Sequence, residues 1–134
     1  MIFIDTSFWV ELTVARDARH EQARSLLDST GGDPLVTSNL VRGETFTYLR
    51  RKAGHTVAVE YLDRVRSSPR LAILPITAEL EDRALTWLRA HDEREYSFVD
   101  ATSFALMRSL KIRRALAFDG DFTAAGFVEL RTDD

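Results

Sequence analysis

Five carboxylates in this chain stand at positions where an acid is an odd choice: Asp5 in IDTS, Glu44 in NLVRGETFTYL, Asp100 in YSFVDATSFALM, and Asp119 and Asp121 in LAFDGDFTAAGF. Asp5 closes an apolar run, Asp119 follows another, and Asp100 shares a helical stripe with Phe104 and Met107. An ionised carboxylate removed from water must be paired or bound to a cation. Two of them about 4 Å apart repel by roughly 4 kcal/mol at an effective dielectric near 20, so three or four together demand protonation or a cation. The chain has no cysteine and only three histidines, His20, His55 and His91, so any metal site is expected to be all oxygen. That donor set suits Mg²⁺, with Mn²⁺ as the alternative. Such sites orient a water, help deprotonate it and neutralise a phosphate attacked in line, which makes phosphodiester hydrolysis the chemistry to expect.

Each acid has a competing structural reading. Asp5 can cap the helix that starts at Thr6–Ser7, and Ser97 with Asp100 three residues on matches a capping box. Asp119–Gly120 favours a turn from which a hairpin could follow. Glu44 shares a face with Leu40, Val41, Thr47 and Tyr48, and a slight rotation would carry it to the rim. The conjunction of all five beside strand ends or first helical turns is what favours function over any one of these.

The elements that must position them alternate. A strand over Met1–Asp5 leads to a helix over about Ser7–Val14 and a second over about His20–Asp28, broken by Gly31–Gly32–Asp33–Pro34. Leu35–Thr37 is a minimal strand, Ser38 and Asn39 are cap candidates, and a helix over Leu40–Ala53 stops at Gly54. A helix over about Thr56–Ser67, a core strand Leu71–Leu74 and a helix capped by Thr77 follow. The run His91–Glu95 reads as solvated surface. Beyond it come a helix that is apolar nearly all round, a strand Ala115–Phe118, a last strand Phe127–Leu130 and a tail Thr132–Asp134. This pattern predicts an α/β fold: a three-layer sandwich with a mostly parallel central sheet of four or five short strands flanked by helices, as one domain over residues 1–134. In such a sheet the carboxyl ends of neighbouring strands share a rim, where Asp5 and Asp119 can meet.

No stretch approaches the run of about twenty apolar residues that spans a bilayer, and the start lacks the basic residues of a signal peptide, so a cytoplasmic protein is expected. The net charge of −3 does not suggest a chain that coats nucleic acid. Its distribution is uneven, however. Arg42, Arg50, Arg51 and Lys52 cluster around Glu44 and are candidates for gripping a phosphate backbone, since all but two of the 18 basic residues are arginines suited to forked phosphate contacts. Trp9, Tyr48 and Tyr61 are aromatic candidates for a partner surface, although core packing is the expected fate of each.

The ordered set IDTS, NLVRGETFTYL, YSFVDATSFALM and LAFDGDFTAAGF resembles the acidic motifs of PIN-domain ribonucleases, and more narrowly of the VapC toxins of bacterial toxin–antitoxin pairs, from Met1 to about Leu130. The resemblance implies a Mg²⁺-dependent endoribonuclease acting on structured RNA such as tRNA or an rRNA loop, a homodimer, and inhibition by a VapB-type antitoxin. It implies Asp5 and Asp100 as the firmest metal ligands and catalytic residues, with Glu44 and Asp119 completing the set and Asp121 competing for the fourth position. Thr6 and Ser7 correspond to hydroxyl neighbours that hold the first Asp and solvent. Attack by water, with Glu44 or Asp119 orienting it, would leave 5′-phosphate and 3′-hydroxyl ends. The alternative is a catalytically silent α/β binding or regulatory module with an acidic pocket. A receiver-like domain would need paired acids after the first strand and a late Lys, and a haloacid-dehalogenase-type phosphatase a second Asp where Ser7 stands.

Overall fold

The structure is a computed structural model describing residues 1–132; the last two residues of the expected tail, 133 and 134, lie outside the described residues. Among the described residues five strands, β1 (Ile2–Ile4), β2 (Leu35–Ser38), β3 (Leu71–Leu74), β4 (Arg114–Leu116) and β5 (Val128–Glu129), form one sheet in the order β3-β2-β1-β4-β5, and every pairing is parallel. Seven helices among the described residues flank it: α1 (Thr6–Thr13), α2 (His20–Ser29), α3 (Asn39–Ala53), α4 (His55–Ser67), α5 (Ala78–Ala90), α6 (Phe98–Ser109) and α7 (Asp121–Ala124).

Central β1 is completely buried, and Phe3 pairs in register with Val36 on one side and Ala115 on the other. A strand covered on both faces reads as an unbroken apolar run, which is why IFI carries no alternation. The chain moves outward from β1 through β2 to β3, then returns to place β4 on the other side of β1. The order therefore reverses between β1 and β4, and the crevice beyond the strand ends at such a switch point is where open parallel sheets hold their ligands. Asp5 follows β1 and Asp119 lies just beyond β4.

The helix starts follow the sequence signals. Ser38 accepts the Val41 N–H and Thr77 the Leu80 N–H, while Ser97 and Asp100 form a reciprocal capping box at the start of α6. Helix α6 is buried continuously from Asp100 to Met107. Its hydroxyls at Thr102 and Ser103 donate back to the Val99 carbonyl at 2.8 and 2.9 Å, which satisfies them inside an apolar environment. Trp9 and Tyr61 meet edge-on at 5.5 Å in the core, whereas Tyr48 is exposed.

Two expectations are corrected. Leu71–Leu74 is an edge strand, half-buried with Ala72 exposed, because β3 has a neighbour on one side only. And no hairpin follows Asp119–Gly120. Gly120, at φ +82°, instead leads into the short helix α7, and β5 returns parallel to β4. Packing decides this: Phe122 on α7 is fully buried, 6.0 Å from Phe3 and 4.9 Å from Phe104 between ring centroids, and Glu129 on β5 accepts the backbone N–H groups of Gly120 and Thr123 at 3.2 and 2.9 Å.

Candidate active site

A cavity of about 530 Å³ opens at the switch point, and Asp5, Thr6, Ser7, Glu44, Asp100, Asp119 and Asp121 all line it. The strand-to-helix junction after β1 sets the first acid. Asp5, 2% exposed, is the N-cap of α1, and its Oδ2 accepts both the Ser7 N–H at 3.1 Å and the Ser7 hydroxyl at 2.8 Å. The Ser7 hydroxyl oxygen in turn accepts the Phe118 N–H at 2.9 Å. One side chain thereby ties the end of β1 to the segment just past β4. Thr6 receives a hydrogen bond from the buried Thr45 hydroxyl on α3 at 3.1 Å.

Asp100 enters from the first turn of α6, where its Oδ2 accepts the Ser97 N–H at 3.0 Å. The capping reading of this residue and its place in the cavity are thus compatible: one carboxylate oxygen caps the helix. Asp119 and Asp121 arrive on the loop before α7, with Asp119 Oδ1 accepting the Asp121 N–H at 3.0 Å. One carboxylate oxygen from each of Asp100, Asp119 and Asp121 lies within 4.8 Å of the others. Asp5 completes the group electrostatically. Burial pushes its carboxyl well above the usual range, and the charges of Asp119 and Asp100 push it further against the Ser7 hydrogen bonds. Burial likewise raises Asp100 to about 7, opposed by the Ser97 N–H and reinforced by Asp119 and Asp121. Asp119 is raised by burial first and by Asp121 and Glu129 next. Carboxylates whose ionisation is opposed by burial and by one another form a site that a divalent cation would neutralise. The all-oxygen donor set suits a hard ion such as Mg²⁺ or Mn²⁺.

Glu44 is half-buried on α3, and Tyr48 and Lys52 line the same cavity one and two turns on. The basic cluster around it does not act as one patch, since helical periodicity divides it. Lys52 lines the cavity, with Nζ 3.2 Å from Asp17. Arg51 lines an adjoining groove with Glu44, Tyr48, Phe98 and Val99. Arg50 is exposed in the last turn of α3, and Arg42 lines a separate cavity with Leu62, Arg66 and Leu71.

Several residues in and around the cavity carried no signal in the sequence. Arg19, from the turn before α2, lines the wall, donates to the Phe118 carbonyl at 3.1 Å and lies 5.1 Å over the Phe118 ring. Glu11, one turn beyond Ser7 on α1, adds a further acid whose buried Oε2 has no protein partner. Glu129 braces the Asp119–Asp121 loop, as described, and Arg131 pairs with it at 3.0 Å. Arg94, in the run read as solvated surface, donates through Nε to Asp121 Oδ1 at 2.8 Å. Only the helical spacing of Glu11 from Ser7 was available to find any of them.

A family model described as the PIN domain matches residues 2–128. The chain is 55% identical over 134 residues to the 23S rRNA-specific endonuclease VapC20 of Mycobacterium tuberculosis, from strains CDC 1551 / Oshkosh and ATCC 25618 / H37Rv, covering 99% of this chain and 100% of that protein. Among solved structures, it superposes on the crystal structure of Mycobacterium tuberculosis VapC20, described as a sarcin–ricin loop cleaving toxin, with a TM-score of 0.93 and 53% identity, covering 98% of this chain and 100% of that one. A toxin–antitoxin complex from Klebsiella pneumoniae shares the fold at a TM-score of 0.66 and 13% identity, over 92% of this chain and 91% of that one.

Proposed function

This chain belongs to the PIN-domain family, and on that premise we propose that it is a VapC-type endoribonuclease toxin that hydrolyses a phosphodiester bond in the sarcin–ricin loop of 23S rRNA. The observation that carries the reading is the convergence of Asp5, Asp100, Asp119 and Asp121 on one open cavity at the switch point, with Glu44 on its wall. The substrate follows from the relative named for it, which matches this chain at 55% identity from end to end.

Asp5, Asp100 and Asp119, with Glu44 and Asp121 beside them, would hold the divalent cation. Mg²⁺ bound there supplies the positive charge that stabilises these ionised acids and the attacked phosphate, and the acidity that makes water a nucleophile at neutral pH. Glu44, or Asp119, would accept the proton of that water. Ser7 would fix Asp5, and Thr6, held by the Thr45 hydroxyl, the helix start behind it. A protein of net charge −3 must bind a polyanion through local cations, and Arg19 and Lys52 on the cavity wall, with Arg51 in the adjoining groove, would serve that role. Neutralisation by a VapB-type antitoxin, a homodimeric state and a cytoplasmic site of action belong to the same proposal. Among the described residues no helix is long and apolar enough to cross a membrane.

Purified protein incubated with ribosomal RNA and Mg²⁺ is expected to cut within the sarcin–ricin loop and leave 5′-phosphate and 3′-hydroxyl ends. End mapping that returned a 2′,3′-cyclic phosphate would point to attack by the ribose instead of water and contradict this mechanism.

Ser7→Ala gives a second expected result. It removes the hydroxyl donor to Asp5 and the acceptor of the Phe118 N–H together, so a stability loss of about 1–2 kcal/mol is expected in denaturant titration. Cleavage should slow by roughly 10–100-fold, as for other groups that orient a metal ligand. Ser7→Thr should restore most of both; if Ser7→Ala matched the parent in both, the bridge would have no role.

A further inference from the structure

Arg94 reaches the acidic cluster from outside the catalytic elements. Its Nε donates to Asp121 Oδ1 at 2.8 Å, and its Nη2 donates to the Asp119 carbonyl at 3.3 Å, across 27 and 25 residues of chain. Gly120 stands between the two acids at a φ of +82°, which disfavours any side chain, and a Cβ built there would meet Arg94 Nη2 at 3.4 Å, in ordinary contact. Asp121 also supplies one of the three oxygens that lie within 4.8 Å of one another. The guanidinium therefore sits on an acid that the cation site would draw on, while its own side chain remains 42% exposed at the rim.

We propose that Arg94 is the resident counter-cation of this centre: it neutralises Asp121 in the metal-free protein, and with metal and RNA present it engages a backbone phosphate oxygen of the substrate. This rests on the reading of the chain as a metal-dependent ribonuclease. The physical basis is charge bookkeeping at a crowded site. Three or four carboxylates repel one another, and a guanidinium at hydrogen-bond distance lowers that cost when no cation is bound. A divalent cation then competes with Arg94 for the same negative charge. A guanidinium presents five donors in a fixed fork, of which Arg94 directs two at the loop, and a phosphate arriving at the rim meets the rest.

The proposal predicts opposite signs for two properties of Arg94→Gln. Removing the guanidinium leaves the cluster more negative, so Mn²⁺ binding to RNA-free protein, measured by calorimetry, should tighten by roughly threefold to tenfold. KM for a sarcin–ricin loop oligonucleotide at saturating Mg²⁺ should rise about tenfold with kcat changed much less, and the salt dependence of kcat/KM should fall by the 0.7–0.9 in log–log slope that one phosphate contact carries. Arg94→Lys, which keeps the charge without the fork, should leave Mn²⁺ binding near the parent value and raise KM by a smaller factor. Arg83→Gln, which makes the same charge change in an exposed pair with Glu79 on α5, should alter neither. Weaker Mn²⁺ binding in Arg94→Gln would assign Arg94 to bracing Asp121 and overturn the proposal, and so would an unchanged KM. If the parent chain itself bound no Mn²⁺ and cut no RNA, the nuclease reading would fall instead.

Discussion

Asp100→Asn is expected to melt at a higher temperature than the parent chain when no divalent metal is present, and to have lost RNA cleavage when it is. Both effects come from one environment. Burial and the neighbouring charges of Asp119 and Asp121 raise the Asp100 carboxyl from 3.8 to about 7, so the folded chain holds this proton more tightly than the unfolded one. The sign follows: a raised acid contributes stability fully below the unfolded pKa near 4 and loses it as pH rises toward 7, because the unfolded chain gives up its proton first. About three pKa units set an upper limit of roughly 4 kcal/mol at pH 8. Asn cannot ionise, and its amide oxygen can still accept the Ser97 N–H, so the capping box survives. The melting-point gain should therefore be about 5 °C or more at pH 8 and vanish near pH 4. Saturating Mg²⁺ should reverse the order, since a ligand that binds the parent's folded state more tightly stabilises the parent more. The loss of cleavage should exceed the 10–100-fold cost of altering residues that merely support a ligand. A variant no more stable than the parent at pH 8 would mean that Asp100 is not crowded as described.

The second large effect separates Asp119 from Asp121, which the sequence left in competition. Asp119 acts on both sides of the cavity: its charge raises Asp5 and Asp100, and one of its oxygens stands in the close group with Asp100 and Asp121. Asp121 shares that group but has one oxygen engaged by Arg94. Asp119→Asn is expected to lose cleavage by a hundredfold or more, and to let Asp5 ionise at lower pH, a change readable by carboxyl ¹³C titration. Asp121→Asn should lose on the order of tenfold and leave the Asp5 titration close to that of the parent. Equal losses of cleavage and equal shifts at Asp5 would remove the distinction.

The fold was legible because buried parallel strands announce themselves. IFI, LVT and the run ending at Phe118 are continuous apolar segments closed by polar residues, and capping side chains at Ser38, Thr77 and Ser97 marked the helix starts. From a parallel sheet alone it followed that Asp5 and Asp119 would share a rim, and β1 and β4 are adjacent. What stayed hidden is what depends on distance in the chain. The pairing of Arg94 with Asp121, and the hydrogen bond from Arg19 to the Phe118 carbonyl across 99 residues, leave no local periodicity to read. Nearness in sequence misled in the opposite way at Arg42, which is two residues from Glu44 and so on a different side of α3, whereas Tyr48 and Lys52 lie one and two turns along the same stripe. The turn at Asp119–Gly120 was legible as a turn. Its continuation into α7 was set by the burial of Phe122 against distant residues and by Glu129, neither of which a four-residue window reveals.

The proposed hydrolysis needs a divalent cation at these acids, and metal removal tests it most directly. A sarcin–ricin loop oligonucleotide should be cut at one position by the parent chain in Mg²⁺, stay intact when the metal is chelated, and be cut again when Mg²⁺ or Mn²⁺ is restored in excess. Cleavage at the same position and rate in excess chelator, by protein freed of metal beforehand, would contradict it.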